Sequence, residues 1–175
     1  VIELRTPRLR LVAATLEMAQ AELNDRARLA RLLGAELPPG WPPPFNDDDS
    51  ARFFVEYLTQ HPRAVGWMAW YFIHVADEPI AIGNGGFKGE PSDGSVEIGY
   101  SIVPQFQRLG FASEAVRALL EWAFSHDGVH RVIAETLPPL LASRALLRKL
   151  GFGQIDSVEP GTLRFALAGP MQPHR

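Results

Sequence analysis

The sequence predicts a mixed α/β domain whose mostly antiparallel sheet of seven strands is interrupted by one parallel crossover. Three observations carry this. Segments 66–75, 80–87 and 95–103 read as consecutive strands with turn residues between them. A strongly amphipathic helix over 110–125 follows at once, and a strand over 129–136 follows that helix, which is the order of a parallel crossover. Two last strands, 152–159 and 162–168, meet at the turn formed by Pro160 and Gly161.

Taken in order, residues 8–13 alternate charged and apolar and predict the first strand. Thr15 can cap a helix over 16–33, where Leu16, Ala19, Leu23, Ala27, Ala30 and Leu33 recur near a 3.6-residue period. Five prolines between Leu37 and Phe45 forbid a helix and predict a stiff, extended loop. Asp47, Asp48, Asp49 and Ser50 supply N-caps for a helix over 51–60. In the helix at 110–125, Ala112, Ala115, Val116, Leu119, Leu120, Ala123 and Phe124 form the apolar face, and Gly128 stops it. A short helix over 141–150 ends at Gly151, and the tail after Gly169 reads as loose. No internal repeat or second domain shows, so residues 1–175 are read as one domain.

Composition narrows the function. A net charge of -3 points neither to nucleic acid nor to an anionic membrane. The absence of cysteine excludes disulfides, thiolate metal sites and a cysteine nucleophile. No apolar run approaches the ~20 residues that span a bilayer. Val1-Ile2-Glu3-Leu4-Arg5 lacks the pattern of a signal peptide, so a cytoplasmic protein is expected, although a missing initiator Met leaves a trimmed leader open. The histidines show no ligand spacing, and no metal site is expected.

The chemistry concentrates where a strand runs into the strong helix, at Gln107-Arg108-Leu109-Gly110-Phe111-Ala112. A helix N-terminus exposes unpaired N–H groups and the positive end of the dipole, so it suits a phosphate. Gly110 allows close backbone approach, Ala112 leaves room, and Arg108 adds charge. A glycine that merely shapes a tight turn is the competing reading, and the Gly-Lys-Ser/Thr ending of a P-loop is missing.

Gln107-x-x-Gly110-x-Ala112 resembles the Q/R-x-x-G-x-G/A motif of the GNAT N-acetyltransferase superfamily. Glu97-Ile98-Gly99-Tyr100, His130-Arg131-Val132, Glu135-Thr136, Ser143 and Lys149-Leu150-Gly151-Phe152 extend the match. Together with Arg5-Thr6-Pro7-Arg8-Leu9-Arg10-Leu11, they resemble the branch containing the ribosomal-protein N-terminal acetyltransferases. The resemblance covers residues 5–12 and 95–152 and leaves the region between poorly matched.

That resemblance implies a fold with a splayed parallel strand pair and helices on both faces. It implies acetyl-CoA as cosubstrate, with the pyrophosphate held by the motif from Gln107 through Arg108, Leu109, Gly110, Phe111, Ala112 and Ser113. It further implies that main-chain groups of Ile102 and Val103 pair with the pantetheine. The activity implied is acetyl transfer to a primary amine, either a protein N-terminus or a small molecule; the alternative is a non-catalytic CoA-binding or regulatory module. Glu97 is the candidate base and Ser143 the candidate proton donor to the departing thiol. Two positions depart from the family. Leu140 stands where an Asn usually contacts the pantetheine, and Leu147 stands where many members carry an acid Tyr.

The acceptor side falls in the poorly matched region. Trp41 and Phe45, on the proline-rich loop, are candidates for an acceptor pocket, whereas Trp70 and Phe72 read as core. Asp47, Asp48 and Asp49 either cap a helix or attract a cationic amine. The final hairpin, 152–168, offers an edge for pairing into a homodimer.

Overall fold

The computed structural model describes residues 1–170, and the part of the predicted loose tail beyond them lies outside the described residues. One eight-stranded sheet runs through it. Its strands are β1 (Glu3–Arg5), β2 (Leu9–Ala13), β3 (Ala69–His74), β4 (Ile80–Phe87), β5 (Ser95–Ile102), β6 (Arg131–Thr136), β7 (Gly153–Ile155) and β8 (Leu163–Ala168). The spatial order is β1-β2-β3-β4-β5-β6-β8-β7. All neighbours are antiparallel except β5 and β6, which are joined by the predicted crossover. The eighth strand is the one the sequence reading missed. Glu3–Arg5 is only three residues long, and it becomes a strand because Leu4 pairs with Leu11 of β2.

Five α-helices flank the sheet: α1 (Leu16–Asn24), α2 (Arg26–Leu33), α3 (Asp48–Gln60), α4 (Phe111–Phe124) and α5 (Leu141–Lys149). The helix predicted over 16–33 is two. Asp25 interrupts it with φ -155° and ψ 83°, and its side chain then caps the second helix by accepting Arg28 N–H at 2.9 Å. The apolar period runs across this break, which hid it. Helix α3 starts three residues earlier than predicted because Asp47 caps it, accepting from Ser50 N–H at 2.8 Å. The strand predicted over 152–159 shrinks to Gly153–Ile155.

Strand alternation sorts the side chains into two layers. Trp70, Phe72, Ile82, Val96, Ile98 and Ile102 turn to one face and pack with Ala115, Val116, Leu119 and Ala123 of α4. Val12, Tyr71, Ile73, Ala81 and Val103 turn to the other and pack with Met18, Leu29 and Leu33 of α1 and α2. Trp70 and Phe72 are fully buried, as the core reading expected. No helix among the described residues is long and apolar enough to cross a membrane.

Candidate active site

The sheet opens at its centre. Parallel pairing between β5 and β6 covers Ser95↔Arg131 to Ile98↔Ala134 and then stops, while β5 stays paired with β4 as far as Ile102. Among the described residues, no strand therefore pairs with Gly99 to Ile102 on their β6 side. A Cβ added at Gly99 would meet nothing within 4 Å. Val103 N–H donates to Ile82 O at 2.9 Å, which makes Ile102 and Gly83 a non-hydrogen-bonded pair. The alternation of an antiparallel ladder then directs the main-chain groups of Tyr100 and Ile102 into the gap. A cavity of about 1220 Å³ fills this gap and continues to the N-terminus of α4.

That terminus is bare. Gly110 is its N-cap, at φ 84°, and no side chain caps the first turn. The N–H groups of Phe111, Ala112 and Ser113 are those an α-helix leaves without partners. Gly110 suits a left-handed backbone that would strain other residues, and Arg108 just before it also has positive φ, 62°. Arg108, Gly110, Ala112 and Ser113 line the cavity, together with Gln107. The Gln107 amide donates to Ile102 O at 2.8 Å and so ties the end of β5 to the loop. Val103 differs from the expectation, because its N–H faces β4 and its side chain is buried. Leu109 and Phe111 do not line the cavity: Leu109 O accepts from Arg8, whose guanidinium lies 4.3 Å over the Phe111 ring.

Sequence reasoning missed the brace behind this loop. Glu114, in the first turn of α4, accepts from Thr6 Oγ1 (2.6 Å), Arg8 N (2.8 Å) and Arg8 Nε (2.7 Å). Partial burial alone would raise the Glu114 pKa, but the Thr6 and Arg8 bonds and the Arg8 charge outweigh it and hold the group below the usual carboxylate value. The i to i+106 separation of Arg8 and Glu114 left no local signal.

Two hydroxyls meet in the cavity wall. Tyr100 Oη lies 3.2 Å from Ser143 Oγ, bridging β5 and α5. Burial pushes the Tyr100 phenol above its ordinary value, against a smaller lowering by Ser143, so it stays protonated through neutral pH. Tyr100 was not singled out from sequence, since its partner is 43 residues away. Leu147, where many family members carry Tyr, is a core residue 1% exposed. Glu97 does not line the cavity: strand alternation sets it opposite Val96 and Ile98, and it accepts a hydrogen bond from Lys88 Nζ. Lys88, in contrast, does line it.

The far end of the cavity is walled by the proline-rich loop, α3 and the β3–β4 face, through Phe45, Asn46, Phe53, Phe54, Met68 and Asn84. Phe45 is 77% exposed, on a backbone with φ 65°. Trp41 goes elsewhere. It is 7% exposed, and its indole donates to Glu22 Oε1 at 2.8 Å beneath the loop, so it supports the wall without forming it. Burial raises the Glu22 pKa against the opposing pull of Trp41, Tyr71 and the Arg26 charge. Among the described residues no group of three metal-ligating side chains comes together.

Comparison with known proteins is consistent with this geometry. A Bacillus subtilis protein named as an uncharacterized N-acetyltransferase, YjdG, is 31% identical over 152 residues, spanning 85% of this chain and 88% of its own length. The ribosomal-protein-S5-alanine acetyltransferase of Vibrio fischeri superposes with a TM-score of 0.65 at 18% identity, covering 97% of both chains. The ribosomal L7/L12 α-N-protein acetyltransferase RimL, solved with coenzyme A, gives 0.64 at 21% identity over 96% of this chain and 98% of its own. At these identities the two structures establish the shared fold alone. The family model for the GNAT acetyltransferase domain matches residues 3–153, and with it the chain belongs to the GNAT family as an acetyl-CoA-dependent N-acetyltransferase.

Proposed function

We propose that the protein transfers the acetyl group of acetyl-CoA to a primary amine by direct attack of the amine on the thioester. The observation that carries this is the interrupted β5–β6 pairing, which opens a gap leading to an uncapped helix N-terminus. In this reading the amides at residues 108–113 hold the pyrophosphate, with the dipole of α4 and Arg108 supplying charge. The main-chain groups of Tyr100 and the N–H of Ile102, whose carbonyl is held by Gln107, pair with the pantetheine, leaving the thioester near Tyr100 and Ser143.

The chemistry follows from that placement. The amine lone pair forms the C–N bond, negative charge gathers on the acetyl oxygen, and the C–S bond then breaks. Ser143 gives its proton to the departing sulfur while the Tyr100 hydroxyl donates to Ser143 Oγ. The proton shed by the amine passes through water to Ser143 Oγ and restores its hydroxyl, so the products are the amide and free CoA thiol. Holding both reactants in one cavity supplies a large share of the rate, since orientation can contribute roughly 7–11 kcal/mol. Glu97 is turned onto Lys88, which it positions in the cavity wall; this replaces the base role expected from sequence.

A non-catalytic CoA-binding module is the second reading, and the core position of Leu147 is what favours it. Melting curves with acetyl-CoA, CoA, ATP and NAD, followed by thiol release across a panel of amines, separate the two. The proposal expects stabilisation by acetyl-CoA and CoA and turnover on at least one amine. Stabilisation without turnover supports the second reading, and no stabilisation by CoA overturns both.

A further inference from the structure

Resting on the amine-acetylating reading above, we infer that the acceptor is a small primary amine carrying an aryl or branched-alkyl group, held against Phe45 and Phe53. Both rings line the acceptor end of the cavity, and both are exposed, 77% for Phe45 and 49% for Phe53. Phe54, which also lines the cavity, neighbours Phe53, with ring centroids 6.0 Å apart. Large apolar side chains left open at a cavity rim mark a place where an apolar ligand removes surface from water.

The backbone holds Phe45 there against its own preference. A left-handed φ of 65° is rare for a bulky residue and persists where neighbours enforce it. The enforcing group is Asn46. Its side-chain N–H groups donate to Pro43 O (3.2 Å) and Pro44 O (3.1 Å), and its Oδ1 accepts from Asn84 on β4 at 2.8 Å. The loop is thereby clamped to the sheet, with the Phe45 ring at the mouth of the cavity.

Charge argues against a polyamine. Glu135 is the one carboxylate among the described residues that line the cavity, and it faces Arg164 at 3.6 Å. At the acceptor end the charged side chain is Lys88, itself paired with Glu97, so that end of the cavity is lined by no carboxylate to hold a second ammonium. A neighbouring cavity of about 40 Å³, too small for a polyamine chain, is lined by Glu22, Asp47 and Asp48 together with Arg26. Glu22 Oε1 accepts the Trp41 indole, its Oε2 is buried without a hydrogen-bond partner, the Arg26 charge faces it, and Asp47 caps α3.

The test measures thiol release by the full chain at saturating acetyl-CoA. The acceptors are 2-phenylethylamine, isoamylamine, ethanolamine, putrescine, spermidine and a tetrapeptide amide beginning with Phe. The inference expects kcat/KM for the first two to exceed that for ethanolamine and putrescine by roughly tenfold or more, the scale of one buried apolar group. Phe45→Ala should raise the phenylethylamine KM about tenfold and leave the acetyl-CoA and ethanolamine KM values unchanged. Phe45→Gly should raise that KM equally while raising the melting temperature, because glycine relaxes the left-handed backbone. A purely structural Phe45 would give a lower melting temperature without a selective KM effect. Preference for spermidine, putrescine or the peptide, or an equal loss on every amine, overturns the inference and leaves acetyl transfer standing. No turnover on any amine despite acetyl-CoA binding overturns the proposed function, and this inference with it.

Discussion

The two ends of the cavity are built from different materials. The end proposed for CoA is made of backbone: a helix terminus, a strand edge and a glycine turn. The acceptor end is made of side chains from a loop, a helix and two strands. Backbone chemistry depends on local conformation, so it leaves a short contiguous signature such as Gln107 to Ala112. A side-chain pocket depends on which distant segments meet, and it leaves none.

The sharpest way to break this contrast is Gly110→Glu. A carboxylate at the bare N-terminus of α4 opposes an anion, and the left-handed backbone adds strain. Acetyl-CoA affinity should fall by roughly a hundredfold or more in calorimetry, while the circular dichroism spectrum stays native. Retained binding would move the pyrophosphate elsewhere. At the chemical centre, Ser143→Ala should lower kcat by about a hundredfold with the acetyl-CoA KM unchanged. Tyr100→Phe should lower kcat about tenfold in the parent and have little effect in the Ser143→Ala background, because the two act as a pair. Independent, multiplying losses would separate them.

Smaller effects are expected at the periphery. Glu97→Gln should cost a few-fold in kcat/KM at every pH. A loss that shrinks at high pH would restore Glu97 as the base. Glu114→Gln should destabilise by about 1 kcal/mol, or about 2–4 °C in melting temperature. Its sign with pH is fixed. Because the folded-state pKa is depressed, the stabilisation is present above the unfolded carboxylate value near 4.5 and fades as pH falls through the lower folded value. Parent and variant stabilities should therefore converge on acidification.

The crossover and α4 were legible in the sequence because their signals are local: apolar periodicity, a glycine at the turn and alternating strands. Strand β1 was not, since three residues carry too little pattern and Leu4 pairs only because β2 is there. Trp41 read as pocket because a proline-flanked aromatic suggests a surface wall, but a buried acceptor, Glu22, draws the indole inward. Phe45 could be read because nothing in its loop competes to bury it. The alternation that turns Glu97 away from Val96 and Ile98 was visible, yet Lys88 as its partner emerges only once β4 and β5 lie side by side.

The interrupted pairing of β5 and β6 has a thermodynamic consequence. Four register pairs alone bind the β1–β5 block to the β6-β8-β7 block within the sheet. A cosubstrate that pairs with β5 in the gap acts as a missing strand, so its concentration enters the folding equilibrium. At a hundredfold excess over Kd, the gain is about 2.7 kcal/mol. The amides of Tyr100 and Ile102 should report it as slowed hydrogen exchange on saturation with CoA, and the buried amides of β3, which open only when the whole sheet does, should slow with them. With the proposed pairing, the resistance of the sheet to unfolding becomes a gauge of how much acyl donor surrounds the protein.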